Sequence, residues 1–537
     1  MESWDYIIVG AGSAGCVLAN RLSADGASRV LLVEAGPADR SPYIHVPAAI
    51  IRCVGNPALD WCLLAEPDPS RHGKVDLWPA GRTLGGSSSI NGMLFVRGAH
   101  EDFDGWAALG NAGWGWDDVL PLFRRLENSE VGDDRWRGRE GGMRVSRLRT
   151  THPLGQVFVA AAQECGLPLN PDYNGASQEG VSEPQVTQKD GWRWSAARAF
   201  LRPARGRRNL RVETGSTCES LLVEAGRCTG IRVRRRDGSI VEHRSHGEVV
   251  VSAGTLGSPK LLMLSGIGPA AALGALGIPV RHDLAAVGAN LQEHCNSLVC
   301  ADVNVRTYNV ETSGPRMAQH LGHWLLTGRG PASSPYPHGV AFLRSRPEEP
   351  RPDLQMLFGP FAFDFDERGI IPYDKPAVSF VVNACHPEAR GRLRLRSADP
   401  KAPPVIEHAL LDNAEDLRRQ VAGCRIARRI LQSAAFRPYV QREFLPGPAR
   451  IDDDALADHV RRTSFLGYHP VGTCRMGADE ASVVTPGLRV RGVAGLRVAD
   501  ASIMPRQVAA NTNAAAMMIG EKGAELLLAE RRQSRAA

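Results

Sequence analysis

The chain opens on a short apolar block, Tyr6-Ile7-Ile8-Val9, that stops at Gly10. From Ser13 to Ala24 the apolar period changes: Ala14, Val17, Leu18 and Leu22 fall on one face of a helix. A second apolar block, Val30-Leu31-Leu32-Val33, ends at Glu34. Strand, tight turn, helix and strand thus follow one another within the length of a single unit, which begins a parallel sheet. Further strands of the same type, Glu248 to Ser252 and Gly495 to Ala499, come hundreds of residues later. A nucleotide-binding domain built this way is discontinuous, with insertions. Between its parts, Leu210 to Glu213 and Gly230 to Val233, with Asp237-Gly238 beside them, read as antiparallel strands joined by a hairpin turn. Residues 300–460 have another texture: short strands (Ala377 to Val382, Arg392 to Arg396), a proline-rich loop (Pro347 to Pro352) and a helix from Ala414 to Leu431, consistent with an α+β cap.

One stretch raises the membrane question. Leu261 to Val280 carries no charge and is of spanning length, but Pro269, Pro279 and four glycines break it, so it reads as a buried helix, a turn and a short second helix. No integral membrane segment is expected, and peripheral contact stays open. At 537 residues the chain exceeds the usual limit of one core, so two associated domains are expected. The net charge of +6 is carried almost wholly by arginine, since only six of the 64 basic residues are lysines. The clusters at Arg202 to Arg211 and Arg232 to Arg236 lack interleaved aromatics, which argues against nucleic acid. Eleven scattered cysteines without a Cys-x-x-Cys pair point to reduced thiols, a cytoplasmic setting and no zinc site; no metal is expected. The first residues lead straight into a strand without the pattern of a secretory leader, so export is not expected.

Gly10-Ala11-Gly12-Ser13-Ala14-Gly15 fits the dinucleotide fingerprint where the physics needs it, after a strand and at a helix start. The glycines let a pyrophosphate approach, the helix N-terminus favours its charge, and Glu34 is placed for ribose hydroxyls. By itself this does not separate FAD from NAD. A second glycine-rich loop, Ala80 to Met93, adds backbone donors and Arg82, and one dinucleotide spanning both loops accounts for the two.

That second loop, together with Gly254 to Gly268, closely resembles the two signature segments of the glucose-methanol-choline (GMC) oxidoreductases. Val287 to His294, the segment around His469 and Gly495 to Pro505 extend the resemblance over nearly the whole chain, weakest at about 300–390. The fold it implies is α/β, with a discontinuous Rossmann-type FAD-binding domain (1–155, 195–300 and 460–537). Into it is inserted an α+β substrate-binding, or cap, domain built on an antiparallel sheet (156–194 and 301–459). The cofactor implied is FAD, held by Gly10, Gly12, Ser13, Ala14, Gly15, Glu34 and Ala35 at its ADP end. Arg82, Gly86 and Ser87 fall near the pyrophosphate, and Asn91, Gly92, Met93 and Leu94 along the flavin. Cys218 falls at an adenine contact through its backbone, and Asp500 and Ala501 beside the flavin. Some choline oxidases attach FAD through a histidine where this chain has Ile90, so noncovalent FAD is expected.

His469 falls on the family's catalytic base, and Asn511 on its pair partner. A neutral imidazole can take the proton that an alcohol must lose, and an amide can hold the oxygen without acting as a base. Asn513 nearby reads as backbone support, and His294 as structural. Cys385 resembles in position the cysteine of light-driven fatty-acid decarboxylases, but those lack the base histidine, and a small buried apolar role fits it better. The implied reaction oxidises a primary alcohol to an aldehyde and passes electrons to oxygen or a quinone-type acceptor. A hydroxynitrile lyase or a decarboxylase on the same fold remains the alternative. Leu357 to Phe363 and the loop near Trp61 read equally as an apolar substrate wall or as core.

Overall fold

The computed structural model describes residues 3–311 and 314–536. The first apolar block forms β1 (Ser3–Val9), followed by α1 (Ser13–Leu22) and β2 (Val30–Glu34). They belong to a seven-stranded sheet in the order Leu210–Thr214, β2, β1, β3 (Ile240–Val251), Arg227–Arg235, Ser216–Glu224, with Leu496–Val498 also paired to β3. The long β3 serves two ladders. Its first half pairs antiparallel with Arg227–Arg235, and its second half lies parallel to both β1 and Leu496–Val498, with Val249 opposite Ile7 and Leu496. Strands buried on both faces read as unbroken apolar runs, which is why Val249-Val250-Val251 and Val30 to Val33 are legible in sequence.

One pairing differs from the sequence reading. Leu210–Thr214 is not half of a hairpin but a parallel edge strand beside β2, with Val212 opposite Leu32. The hairpin at Asp237-Gly238 instead joins Arg227–Arg235 to β3. Alternating polar and apolar positions state that a strand is half-covered, not which partner it takes, and the partner here was set by tertiary packing.

A second seven-stranded sheet is antiparallel throughout. Its central strands are β4 (Cys295–Val303), β5 (Leu354–Gly359) and β6 (Ala377–Ala384), in the order β4, β6, β5, flanked by Val440–Leu445 and by Gly339–Leu343 and Gly180–Ser182. One face is covered by α3 (Ala414–Leu431), which starts where the Asn413 side chain accepts a hydrogen bond from the Glu415 amide. Buried Gln420, Cys424, Ala427 and Leu431 turn toward the sheet, and Gly423 lets the helix so close that an added Cβ would sit 2.2 Å from Val382. The other face of this sheet is left for the site.

The twenty-residue uncharged stretch is broken as its prolines require: a helix at Gly254–Leu264, a bridge at Ile267–Gly268 and a short helix at Ala270–Ala275. Among the described residues no helix is long and apolar enough to cross a membrane. The C-terminal helix Asn513–Ala536 returns to the first sheet and packs on α1, where a Cβ on Gly520 would lie 2.7 Å from the Ala14 carbonyl.

A backbone approach with no room for a side chain lies inside the glycine turn. A Cβ on Gly15 would fall 1.9 Å from the Gly10 carbonyl oxygen, so α1 meets the end of β1 only without a side chain there. Gly15→Ala is expected to lower the apparent melting temperature by on the order of 5 °C, the scale of an overpacked core site. Thermal scanning of wild type and variant side by side measures it, and an unchanged melting temperature would show that the turn opens without cost.

Candidate active site

A cavity of ≈ 690 Å³ runs between the two sheets. It is lined by Gly10, Gly12, Ser13, Ala14, Glu34, Ala35 and Cys218, by Arg82, Gly86, Ser87, Asp500 and Ala501, and by Asn91, Gly92, Met93 and Leu94. His469 and Asn511 line it as well. Of the residues expected to hold the cofactor only Gly15 is off the wall, serving the close approach of α1 to β1 instead.

At the glycine end no side chain caps α1, so the amides of its first turn are left for a ligand. The place where a Gly12 Cβ would stand is open, with nothing within 4 Å. The second glycine loop closes on the first: a Cβ on Gly86, whose φ is +53°, would sit 2.7 Å from the Gly12 Cα. Glu34 Oε2 accepts from Ala11 N at 2.9 Å and Oε1 from Gly36 N at 2.7 Å, bracing the turn. Burial pushes its carboxyl up to about 7 against the pull of those two amides. Asp500 ties the last strand to α2 (Gly254–Leu264): Oδ2 accepts from Gly254 N at 2.9 Å and from Ser258 Oγ at 2.6 Å. Asn91 is held by Arg193, whose Nη1 donates to its main-chain oxygen at 2.6 Å and to its Oδ1 at 2.8 Å. The Arg82 guanidinium lies over Trp61, 5.3 Å from the ring centre. Asn513 supports the site through a side chain rather than a main chain, accepting from Ser13 Oγ at 2.6 Å.

At the other end the hydrogen bonds have a direction. His294 Nε2 lies 2.9 Å from the Cys385 carbonyl oxygen, which can only accept, so His294 carries its proton on Nε2. Burial, then the neighbouring His469, holds His294 well below the usual histidine range, so it is neutral and its Nδ1 is an acceptor. His469 Nδ1, 3.0 Å away, therefore donates to it. That leaves His469 Nε2 as a bare lone pair, facing Asn511 Nδ2 at 2.9 Å. Gln355 Nε2 in turn donates to Asn511 Oδ1 at 3.2 Å, fixing which way that amide points. Gln507 Nε2 donates to the His469 main-chain oxygen at 2.8 Å and to His294 Nδ1 at 3.1 Å, which agrees with the same assignment. Burial alone lowers His469 to about 3.

The main chain around these rings is braced by buried carboxylates. Glu293 accepts from His294 N at 2.7 Å and from His469 N at 2.9 and 3.0 Å. Glu293, His294 and His469 bring three possible metal-ligand atoms within 4.8 Å of one another, and these mutual bonds account for that closeness. Asp102 Oδ2 accepts from Ala509 N at 2.6 Å, and its Oδ1 meets His386 and Arg351, which hold the carboxyl down to about 2 against the upward push of burial. Tyr468 and Ala510, immediately before His469 and Asn511, have φ of +62° and +67°, and Met93 has +63°. Left-handed backbone at non-glycine residues costs about 1–3 kcal/mol each and persists where surroundings over-determine it. Cys385 contributes its carbonyl rather than its thiol, which does not line the cavity.

The sequence does not single out Arg193, Glu293, Gln355 or Gln507; His294, expected to be structural, is fully buried off the cavity wall and hydrogen-bonds to His469 directly. A signal existed for some of them: Gln355 and Asn383 are carboxamides inside otherwise apolar strands, where a polar residue needs a reason.

A helix start open to an anion at one end of a cavity and a proton-accepting imidazole at the other make the working parts of a dinucleotide-dependent redox enzyme. Comparison with known proteins narrows that class: residues 4–296 match the N-terminal and 387–520 the C-terminal GMC oxidoreductase family models, and the chain belongs to the GMC oxidoreductase family. It is 42% identical over 532 residues to the alcohol dehydrogenase [acceptor] of Pseudomonas putida, covering 98% of this chain and 96% of that one. It is 40% identical over 528 residues to an oxygen-dependent choline dehydrogenase of Rhizobium johnstonii, covering 98% and 95%. The solved pyridoxine 4-oxidase from Mesorbium loti superposes with a TM-score of 0.88 at 32% identity, covering 97% of this chain and 99% of that one. The enzyme is accordingly an FAD-dependent oxidoreductase acting on CH–OH donors. The uncapped helix, the open face at Gly12 and the joined glycine loops fit the charge and bulk of that cofactor.

The assigned protons can be read directly. In histidine-labelled protein, ¹⁵N resonances should show His469 neutral with its proton on Nδ1 and not titrating near 6.5, the ordinary histidine value; a ring titrating there would overturn the assignment. The linkage has a sign. The unfolded ring gains a proton near its ordinary value and the folded one only near 3, so this ring makes the fold less stable as pH falls below the ordinary value.

Proposed function

We propose that the enzyme oxidises a primary alcohol to an aldehyde with His469 as general base and Asn511 as the group that holds the alcohol oxygen. In this reading the first sheet carries the cofactor, and the second covers the substrate. The observation that supports it best is the bare Nε2 of His469, neutral and directed at Asn511 on the cavity wall. The relatives named for alcohol and choline dehydrogenation favour the same chemistry.

The gap between His469 Nε2 and Asn511 Nδ2 is one hydrogen bond of 2.9 Å. An alcohol oxygen meeting both groups from the cavity side accepts from the Asn511 amide and donates its proton to the imidazole, so the direct bond gives way to two. As the proton leaves, negative charge develops on the oxygen, and the Asn511 N–H is already aimed at it. His469 becomes the imidazolium, and its Nδ1 proton stays shared with His294 while the peptide dipole of Cys385 stabilises the far end of the relay. Bound FAD supplies the acceptor for the hydride that leaves carbon. Ile90, buried and apolar on the cavity wall, offers no nucleophile for attachment, so the cofactor is held without a covalent bond.

Three outcomes follow. His469→Ala should retain FAD but lose anaerobic flavin bleaching by alcohol by about 10³-fold or more, the range of a missing general base. Asn511→Ala should slow bleaching by about 10²-fold, the scale of one lost oxyanion donor. Undiminished bleaching in His469→Ala would sink the assignment. Acid precipitation should release all flavin into the supernatant; yellow colour left in the pellet would show a covalent link.

A further inference from the structure

The face of the second sheet that looks into the cavity is striped. Direct cross-strand partners share a face, and successive rows on it are two residues apart, roughly 7 Å along the strands. Just past the sheet end His294 donates from Nε2 to the Cys385 carbonyl. The first row is Asn296, Asn383 and Gln355: Asn296 pairs with Asn383, and Asn383 with Gln355, so three carboxamides stand side by side on three adjacent strands. The row after that is Leu298, Val381 and Leu357. Phe465 pairs with Asn296 at the edge of the amide row, and the rings of Phe361 and Phe363 also line the cavity.

The amide row is unusual because its acceptors are spare. Asn296 is 7% exposed, Asn383 1% and Gln355 0%, all three line the cavity, and the side-chain oxygen of each is buried without a hydrogen-bond partner. The amide groups of Asn296 and Gln355 are already engaged, Asn296 Nδ2 with the Leu466 carbonyl at 3.2 Å and Gln355 Nε2 with Asn511 at 3.2 Å. For Gln355 the orientation follows from the proton order of the histidine relay, so its oxygen is left over by necessity. Buried acceptors without partners are costly and are retained where something supplies the missing donor. Charge narrows what that is. The carboxylates on the cavity wall, Glu34, Glu219 and Asp500, belong to the first sheet or to the turn after its last strand, and Glu219 is paired with Arg234. The amide row therefore faces its ligand with neutral acceptors and no counter-ion.

Resting on the alcohol-oxidising reading of the same chamber, we propose that the substrate is an uncharged alcohol bearing a second hydroxyl close to the reacting carbinol and an apolar tail. The reacting oxygen meets His469 and Asn511 from the cavity side, the second hydroxyl donates its one proton to Asn383 Oδ1, and the tail lies along Val381, Leu357 and the phenylalanines. Two adjacent stripes, polar then apolar, match a molecule with a polar head and a greasy body.

The test uses octane-1,2-diol, 1-octanol and choline as probes. On His469→Ala holoenzyme, which binds without turnover, calorimetry should give a dissociation constant about tenfold lower for the diol than for 1-octanol, the worth of one satisfied buried acceptor. Anaerobic bleaching of the wild-type flavin should favour the diol by a similar factor. Asn383→Leu, which keeps the bulk and removes the acceptor, should bring both ratios close to one. Equal or tighter binding of 1-octanol, tighter binding of choline than of the diol, or a ratio untouched by Asn383→Leu would overturn the proposal. If that variant loses flavin, the ratios on wild type and His469→Ala decide alone. Failure of every primary alcohol to bleach the wild-type flavin would count against alcohol oxidation itself, while the calorimetric ratio would still report on the amide row.

Discussion

A carbonyl oxygen has no proton to give, and the direction of the whole site follows from that. The Cys385 carbonyl obliges His294 to donate from Nε2, and His294 then obliges His469 to donate from Nδ1. The lone pair of a neutral imidazole is thereby delivered to the cavity, and the Asn511 and Gln355 amides are oriented in sequence behind it. Were the first acceptor a hydroxyl, which can rotate and donate, the order could reverse and the base would lose its assigned face. The Cys385 peptide, one residue past the end of β6 and with its own amide bonded to the Asp353 carbonyl at 2.8 Å, has no hydroxyl-like freedom to reverse, so the proton order is fixed by the main chain.

Rigidity is needed because the surrounding backbone is strained. Tyr468 and Ala510 hold left-handed conformations directly before His469 and Asn511, and each is secured by a buried carboxylate accepting a nearby main-chain amide, Glu293 at His469 and Asp102 at Ala509. Burial acts twice here. It keeps both histidines neutral, and it makes each unsatisfied polar atom expensive, so the amide row and the imidazole lone pair remain poised for groups that a substrate brings. The two sheets divide the work. The first, mixed sheet opens an uncapped helix and two touching glycine loops to an anionic cofactor, and the antiparallel sheet presents a graded face, polar next to His469 and apolar in the following row.

How much of this could be read in advance depended on how local the cause was. The fingerprint turn was legible because each glycine answers to a neighbour a few residues away, as Gly15 does to the Gly10 carbonyl. The helix Ala414–Leu431 was legible because its cap and its periodicity lie in one segment. Leu210–Thr214 was assigned the wrong partner, since a strand's own alternation does not say which neighbour it pairs with. The contact of His294 with His469 was not legible, because it joins two segments far apart in the chain. The amide row escaped notice for the same reason: Asn296, Asn383 and Gln355 become neighbours only through the register of three strands.

The sequence by itself determined what depends on period, spacing and residue chemistry: a parallel strand-helix-strand unit, two phosphate-suited loops, a membrane-length stretch broken by proline, and a histidine with an asparagine as candidates for the chemistry. The tertiary structure decided which nitrogen of that histidine is basic, what orients the asparagine, and what faces the substrate. The physical reason is that hydrogen-bond direction and strand register are properties of pairs. A residue carries its donors and acceptors with it, but only its partners, brought from elsewhere in the chain, decide which of them are spent and which are left free.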